Sequence, residues 1–204
     1  MTETEKMLQG RIYDSSVPEL AEMRVKAHRL CRIYNSLDEE DPKLMEIRKE
    51  LLPNVDSTSF VLAPVQFDYG VNFHMGKRGF INFGIKVLDT CPVTLGDDVF
   101  VGPNVSFYTP LHPLLSEERK TYQKENGVWT DKEYAAPIEV GDGTWIAGSV
   151  SVGPGVKIGK RCVIGMGSVV LHDIPDDCLA AGNPCRVIRK IAPEDSILLK
   201  KEIL

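Results

Sequence analysis

Apolar side chains in the middle and C-terminal parts of the chain recur every six residues. Val140, Ile146, Val152, Ile158, Ile164 and Val170 are all β-branched and stand at five successive steps of six. The residue after each of the first five is Gly141, Ala147, Gly153, Gly159 and Gly165. Four places after each stand Thr144, Val150, Val156, Cys162 and Ser168, all small or medium in size. Glycine makes up only 17 of the 204 residues, so four of them in register with aliphatics are a pattern and not background. The same period runs earlier through Met75, Ile81 and Val87, then through Leu95, Val101 and Phe107, with a join of eight between the two sets. Phe107 and Val140 are 33 positions apart, which is not a multiple of six. An excursion must therefore leave the repeat there, and its stretch Thr121–Tyr134 is polar and rich in Lys and Glu.

A period of six is neither the 3.6 of a helix nor the alternation of one long strand. It fits short strands joined by tight corners, with one β-branched side chain pointing inward per strand and small residues where the backbone turns. Hexapeptide repeats of this kind are a signature of the parallel β-helix, in which each coil buries its aliphatics against its neighbours.

The N-terminal segment has a helical period instead. Ser16-Val17-Pro18-Glu19 has the form of a capping box with proline in the first turn. Leu20, Met23, Ala27, Leu30, Cys31 and Tyr34 follow at helical spacing. A second helix is predicted from Asp41-Pro42 to Leu52, where Pro53 stops it. The expected organisation is a helical cap over residues 1–54, then a β-helix over 55–204. The latter includes an excursion at about 109–137 and a C-terminal segment at about 184–204.

Charge and composition narrow the class. Lys plus Arg total 24 and Asp plus Glu 29, a formal net charge of -5, which argues against a nucleic-acid binder with a basic face. No apolar run approaches the ~20 residues of a membrane span, and Met1–Lys6 is too charged for a secretory signal. Five cysteines without metal-ligand spacing read as small buried groups in a reducing compartment, so a cytoplasmic location is expected. Neither a P-loop nor a G-x-S-x-G elbow occurs, and no H-x-x-x-H or H-x-E pair suggests a metal.

Of the four histidines, His28 falls at a helix edge, while His74 and His172 fall within or between repeats. His112 is different. It follows Phe107-Tyr108-Thr109-Pro110-Leu111 where the chain leaves the repeat, and an imidazole, which in general titrates near neutrality, suits a general base.

Linked motifs then give a family resemblance. Phe67-Asp68-Tyr69-Gly70, Asn82-Phe83, Leu88-Asp89-Thr90-Cys91-Pro92, Gly102-Pro103-Asn104, Tyr108-Thr109-Pro110-Leu111-His112-Pro113, Trp145-Ile146-Ala147-Gly148 and Ala181-Gly182-Asn183-Pro184-Cys185-Arg186 stand in order. Together they resemble the maltose and galactoside O-acetyltransferases of the hexapeptide-repeat superfamily, over about Lys6 to Ile191. The resemblance implies a left-handed parallel β-helix that forms homotrimers with active sites between subunits. It implies acetyl-CoA as donor, a sugar hydroxyl as acceptor and no metal. His112 matches the family's base and Asn82 the stabiliser of the developing oxyanion, with Glu117 a candidate to orient the histidine. Tyr13, Asp14, Ser15, Asp68, Asn82, Asp89 and Thr90 match or adjoin acceptor-binding positions, although serine and threonine fall where the galactoside branch has carboxylates. Trp145, Gly148, Met166, Leu171, His172, Arg186 and Arg189 match the coenzyme A track. A non-sugar alcohol or amine acceptor, and a non-catalytic solenoid, are the alternative readings.

Overall fold

The computed structural model describes residues 1–200, and its prism is built from strands two to six residues long. They stack into three parallel sheets, one per face. The first face comprises Asn54–Val55, Phe73–Met75, Val93–Leu95, Ile138–Val140 and Lys157–Ile158. The second runs from Phe60–Val61 through Phe80–Ile81, Phe100–Val101, Trp145–Ile146 and Val163–Ile164 to Cys178–Gly182, with Cys185–Lys190 returning antiparallel beside it. The third holds Val65–Phe67, Ile85–Leu88, Ser106–Tyr108, Ser151–Val152 and Val169–Val170. The predicted hexad positions Val140, Ile146, Val152, Ile158, Ile164 and Val170 all point inward and are buried. So are Met75, Ile81, Val87, Leu95, Val101 and Phe107, and one continuous core fills the axis.

The glycines of the repeat are explained by what lies on the next coil. A Cβ on Gly102 would stand 2.6 Å from the backbone nitrogen of Gly148, inside any real contact distance. At Gly76, Gly96 and Gly159 the blocking group is the carboxylate of Asp97, Asp142 and Asp176 respectively. Those carboxylates are there because each accepts a backbone N–H from the coil below: Lys77 to Asp97 at 2.8 Å, Asp97 to Asp142 at 3.1 Å and Lys160 to Asp176 at 2.8 Å. The corner between the first and second faces is thereby laced by charge. Arg78 forks onto Asp98 at 2.7 and 2.6 Å, Lys160 meets Asp142 at 2.8 Å, and Arg161 forks onto Asp177 at 2.6 and 2.9 Å.

Three helices precede the prism, not two, and α2 and α3 pack on its core. α1 (Glu3–Leu8) carries the capping box, between Thr2 and Glu5. The box expected at Ser16–Glu19 is not made, because α2 (Pro18–Tyr34) begins at Val17 without a side-chain cap and the Ser16 hydroxyl turns to Asp14. α3 (Lys43–Leu51) lies within the predicted bounds. The exposed edge of the first coil is satisfied by Tyr34 and Asn35, at the C-terminal end of α2. Asn35 Nδ2 donates to the Val65 carbonyl at 2.9 Å, Asn35 Oδ1 accepts from the Val65 N–H at 2.7 Å, and the Tyr34 hydroxyl donates to the Val61 carbonyl at 2.5 Å. An unpaired strand edge thus finds its partners in side chains.

The corner ladder gives a pH prediction. The side-chain hydrogen bonds from Arg78, Lys160 and Arg161 hold the carboxyls of Asp98, Asp142 and Asp177 below the ordinary range. Carboxyls held low in the folded state contribute stability that is full above about pH 4 and is lost as pH falls further. Urea midpoints should therefore decline from pH 5 to pH 2, and Arg161→Gln should flatten that decline. An identical slope in the variant would show that the ladder contributes nothing.

Candidate functional site

Every slip in the six-residue period falls at one corner, where the third face turns into the first. The inward positions Phe67 and Met75 are eight apart, as are Val87 and Leu95, and Phe107 and Val140 are separated by the excursion. This corner therefore carries three insertions on consecutive coils: Asp68–Asn72, Asp89–Pro92 and the segment 109–137. The helical cap lies against them. Tyr13 forms an antiparallel bridge to Glu133, and a Cβ on Gly10, which has φ +69°, would collide with the Ala135 carbonyl.

Buried groups hold the first two insertions in shape. Asp89 is fully buried; its Oδ1 accepts the Tyr69 N–H at 2.8 Å, its Oδ2 accepts the Asn72 N–H at 3.2 Å, and its carbonyl accepts from Asn72 Nδ2 at 2.8 Å. Burial pushes its carboxyl up to about 6, and the two backbone donors offset only part of that. The expectation that Asp89 meets the acceptor is thus corrected, because its oxygens are turned inward to pin the 68–72 turn. Thr90 is buried too, near the Tyr13 phenol. Tyr13 is itself enclosed, its phenol pushed up by burial and then by the neighbouring Glu133 carboxylate. These two residues are walls of the site and not open contacts.

Asp14 is a latch. Its Oδ1 accepts from the Ser16 N–H at 3.0 Å, the Ser16 hydroxyl at 2.6 Å and the Thr130 hydroxyl at 2.8 Å, and its Oδ2 accepts from Lys124 Nζ at 2.7 Å. Burial alone would raise the carboxyl, yet the Lys124 ammonium and these hydroxyls outweigh it and hold Asp14 well below the carboxylate range. Thr130 and Lys124 lie in and beside the hairpin Tyr122–Gln123/Trp129–Thr130, so Asp14 ties the excursion to the cap. Ser15 is half-buried, and its carbonyl accepts from Arg24 Nη2 at 2.8 Å.

His112 follows Pro110–Leu111, which pairs antiparallel with Tyr134–Ala135 as the excursion returns. That pairing brings the Asp131 carboxylate 3.4 Å from His112 Nδ1. Glu117, the residue expected to orient the histidine, instead binds Lys120 on the exposed side of the excursion. Asp131 was missed because 19 residues separate it from His112, and only the antiparallel return closes that distance. Asp68, on the lowest of the three insertions, lies 3.5 Å from Nε2 of His28, and burial raises its carboxyl against the opposing pull of that histidine.

The other expected residues stand at a different edge. Asn82, Gly148 and Met166 share the corner between the second and third faces, Asn82 two coils before Gly148 and Met166 one coil after it, and Trp145 projects from the second face just before that corner. Asn82 is half-buried and its Oδ1 accepts the Phe83 N–H at 2.8 Å, which leaves its amide N–H groups without a partner among the described residues. Met166 is 81% exposed and Trp145 52%, both open to a ligand. Leu171 and His172 lie exposed at the third-to-first corner, on the His112 side. Arg186 and Arg189 project from the antiparallel return strand. Arg189 is already forked onto Asp195 at 2.6 Å through both amino groups, so binding a phosphate requires it to let go of that carboxylate. The third face separates His112 from Asn82, so one prism does not bring them together. Among the described residues, no group of three or more His, Cys, Asp or Glu is placed to hold a metal ion.

A hexad prism with a carboxylate-backed histidine at its exit loop and an asparagine amide on another edge defines a β-solenoid group-transfer enzyme. A family model described as the maltose acetyltransferase hexapeptide capping motif matches residues 6–56, and one for the bacterial transferase hexapeptide (six repeats) matches residues 137–172. The galactoside O-acetyltransferase of Escherichia coli K12 is 38% identical over 196 residues, covering 96% of this chain and 92% of that one. The crystal structure of a maltose O-acetyltransferase from Clostridium difficile 630 superposes with a TM-score of 0.86 at 39% identity, covering 94% and 98%. A hexapeptide-repeat acetyltransferase from Vibrio cholerae, solved with acetyl coenzyme A, gives 0.82 at 33% identity, covering 94% and 100%. The chain belongs to the maltose and galactoside O-acetyltransferase family, the left-handed β-helix acetyltransferases.

The latch can be broken singly. Asp14→Ala removes two charge-assisted or hydroxyl partners from the excursion, interactions of about 1–3 kcal/mol each. Amides of residues 122–130 should exchange with deuterium at least about tenfold faster, while those of the hexad strands stay unchanged. Unaltered exchange in the hairpin would show that the loop is held by something else.

Proposed function

We propose that the protein transfers the acetyl group of acetyl-CoA to a hydroxyl of a sugar, with His112 as general base. The observation that carries this reading is the Asp131 carboxylate at His112 Nδ1. A carboxylate there favours the proton on Nδ1 and leaves the Nε2 lone pair to accept one. Nε2 takes the acceptor's hydroxyl proton as the oxygen attacks the thioester carbonyl. The charge that develops on the carbonyl oxygen is met by the Asn82 amide N–H. Collapse of the tetrahedral species breaks the C–S bond, and the proton returns from His112 to the departing thiolate, giving coenzyme A and the acetyl ester. No acyl-enzyme is required.

The reading places the donor along the second-to-third edge, past Gly148, Met166 and Trp145, with Arg186 and Arg189 toward its phosphates and Leu171 and His172 contributed from the other edge. Arginine forks suit phosphate oxygens. The acceptor lies by Asp68 and the Tyr13–Ser15 segment.

Because His112 and Asn82 occupy different edges of one prism, the site is complete only when two copies pack edge to edge. A head-to-tail contact that closes after three copies gives a homotrimer with three equal sites. The second face supports such packing. Phe60, Phe80, Phe100 and Trp145 stack in register on its outer side, and Phe60 and Phe100 are at least half exposed. A single chain would leave this apolar column in water.

Two experiments decide the reading. His112→Ala should retain the native assembly while thiol release from acetyl-CoA in the presence of a sugar falls by about 10²–10⁴-fold. Wild-type turnover in this variant, or release with amines and none with sugars, would overturn the assignment. Separately, His112→Ala and Asn82→Ala chains, each nearly inactive alone, should regain about one quarter of wild-type activity when unfolded and reassembled as equal mixtures. Random mixing pairs an intact His112 edge with an intact Asn82 edge at about one contact in four. A mixture no more active than its parts would place both residues' work within one chain.

A further inference from the structure

The strand that returns antiparallel along the second face leads into a tail held by one side-chain tether. Cys185–Lys190 carries Arg186, Arg189 and Lys190, three exposed cations within one strand of a chain whose formal net charge is -5. Among the described residues, the last backbone hydrogen bond from this end to the prism runs from the Ile191 N–H to the Asp177 carbonyl, at 2.8 Å. Beyond it stand two single-turn 3-10 helices, Pro193–Asp195 and Ile197–Leu199, with no buried residue. Their hydrogen bonds among the described residues stay within the tail, with one exception. Arg189 Nη1 donates to Asp195 Oδ2 and Arg189 Nη2 to Asp195 Oδ1, both at 2.6 Å.

That fork fills the guanidinium edge that would otherwise meet a phosphate. Register places the edge on the donor's route. Trp145 pairs with Val163, Val163 with Leu179, and Leu179 with Arg189. Arg189 therefore continues the column of Trp145, three inter-strand steps away, roughly 14 Å. A donor that lies past Trp145 and carries its phosphates at the end remote from the thioester brings them to the nitrogen atoms that Asp195 holds.

Protonation does not open the fork near neutrality. The carboxyl of Asp195 is lowered to about 2, first by the hydrogen bonds from Arg189 and then by the Ala192 N–H, which reaches Oδ2 at 2.9 Å. Opening falls instead to a competing anion. A phosphate monoester brings up to two negative charges and three acceptor oxygens against the single charge of the carboxylate. The carboxylate has the advantage of being tethered, and so of a high effective concentration.

We propose that Asp195 is an internal competitor for the donor's phosphate. It occupies the Arg189 fork in the free enzyme, the phosphate displaces it, and the tail is released as the donor binds. Coenzyme A carries the same phosphates as acetyl-CoA, so the competitor also weakens the hold on the product and speeds its departure. The inference rests on the donor track proposed above and adds a regulation of it.

The test uses the full chain at low ionic strength, where an exposed ion pair is least screened, with coenzyme A as the probe. Calorimetry should give Asp195→Ala a Kd about two- to fivefold below wild type, the range an exposed pair supplies. Arg189→Ala should weaken binding, and adding Asp195→Ala to it should change nothing further. Amides of residues 192–199 should exchange with deuterium faster when coenzyme A saturates the wild type, the reverse of ordinary ligand protection. Acetyl-pantetheine, which has no phosphate, should leave that exchange unchanged. Equal or weaker binding by Asp195→Ala, or protection of the tail by coenzyme A, would overturn the competitor. Wild-type affinity in Arg189→Ala would overturn it too, by moving the phosphates off this residue, and would leave acetyl transfer intact. Failure of the wild type to bind coenzyme A at millimolar concentration would instead overturn the donor track, and the competitor with it.

Discussion

Stacking of one coil directly on another is the constraint on which the rest of the structure depends. Neighbouring coils lie about 4.8 Å apart, and each backbone N–H or carbonyl on a face must find its partner on the coil above or below. A corner position whose Cβ points along the stack therefore meets the next coil before it meets solvent. Gly102 faces the Gly148 nitrogen for this reason, and Gly76, Gly96 and Gly159 make room for aspartates that accept N–H groups left over at the turn. The six-residue period, the glycines and the charged ladder are three expressions of that one spacing.

The proposed site lies where the constraint is relaxed. Two coils carry two residues more than the hexads require, one carries the excursion, and all three additions lie at the same corner. Extra residues there cannot pair along a face, so their polar groups need partners of another kind. Asp89 supplies them for Tyr69 and Asn72, and the Thr109 hydroxyl accepts the Cys91 N–H at 2.9 Å while donating to the Leu88 carbonyl at 2.7 Å. A buried carboxylate whose ionisation is penalised is retained because two backbone donors would otherwise be stranded. The turn it fixes is the one that presents Asp68.

Much of this was legible in the sequence because it is periodic. The inward positions from Met75 to Val170, the excursion after Phe107 and α2 follow from spacing, since burial repeats with the backbone, and α3 follows from its proline boundaries. What was not legible depends on side-chain direction or on distant segments meeting. Asp89 stands in the same motif as residues of the site, yet at a bulged turn nothing in the order of residues says whether a carboxylate faces in or out. Ser16 has the form of a helix cap, but the Asp14 oxygen captures its hydroxyl. Asp131 becomes the partner of His112 only through a return strand of two residues, too short to announce itself by alternation. The slips in period were the available signal for the location of the site, and they mark the corner without identifying which side chains face the ligand.

The division of the proposed site between two edges follows from the same geometry. A triangular prism of short strands has no deep cleft of its own, because each face is broad and open and each corner is convex. Such a body makes a deep cleft in one of two ways: by adding chain at a corner, or by setting two prisms side by side. The excursion and cap do the first on the His112 edge, where Asp14, Lys124 and Thr130 bind them into one wall. The Asn82 edge has no comparable addition, and its exposed Trp145 and Met166 remain open. One edge is built up and the other left bare, as a head-to-tail contact demands and a self-complementary one does not. Asymmetry between the two edges of a single chain is thus the physical basis for expecting closure into a ring, with each wall serving the bare edge of the next copy.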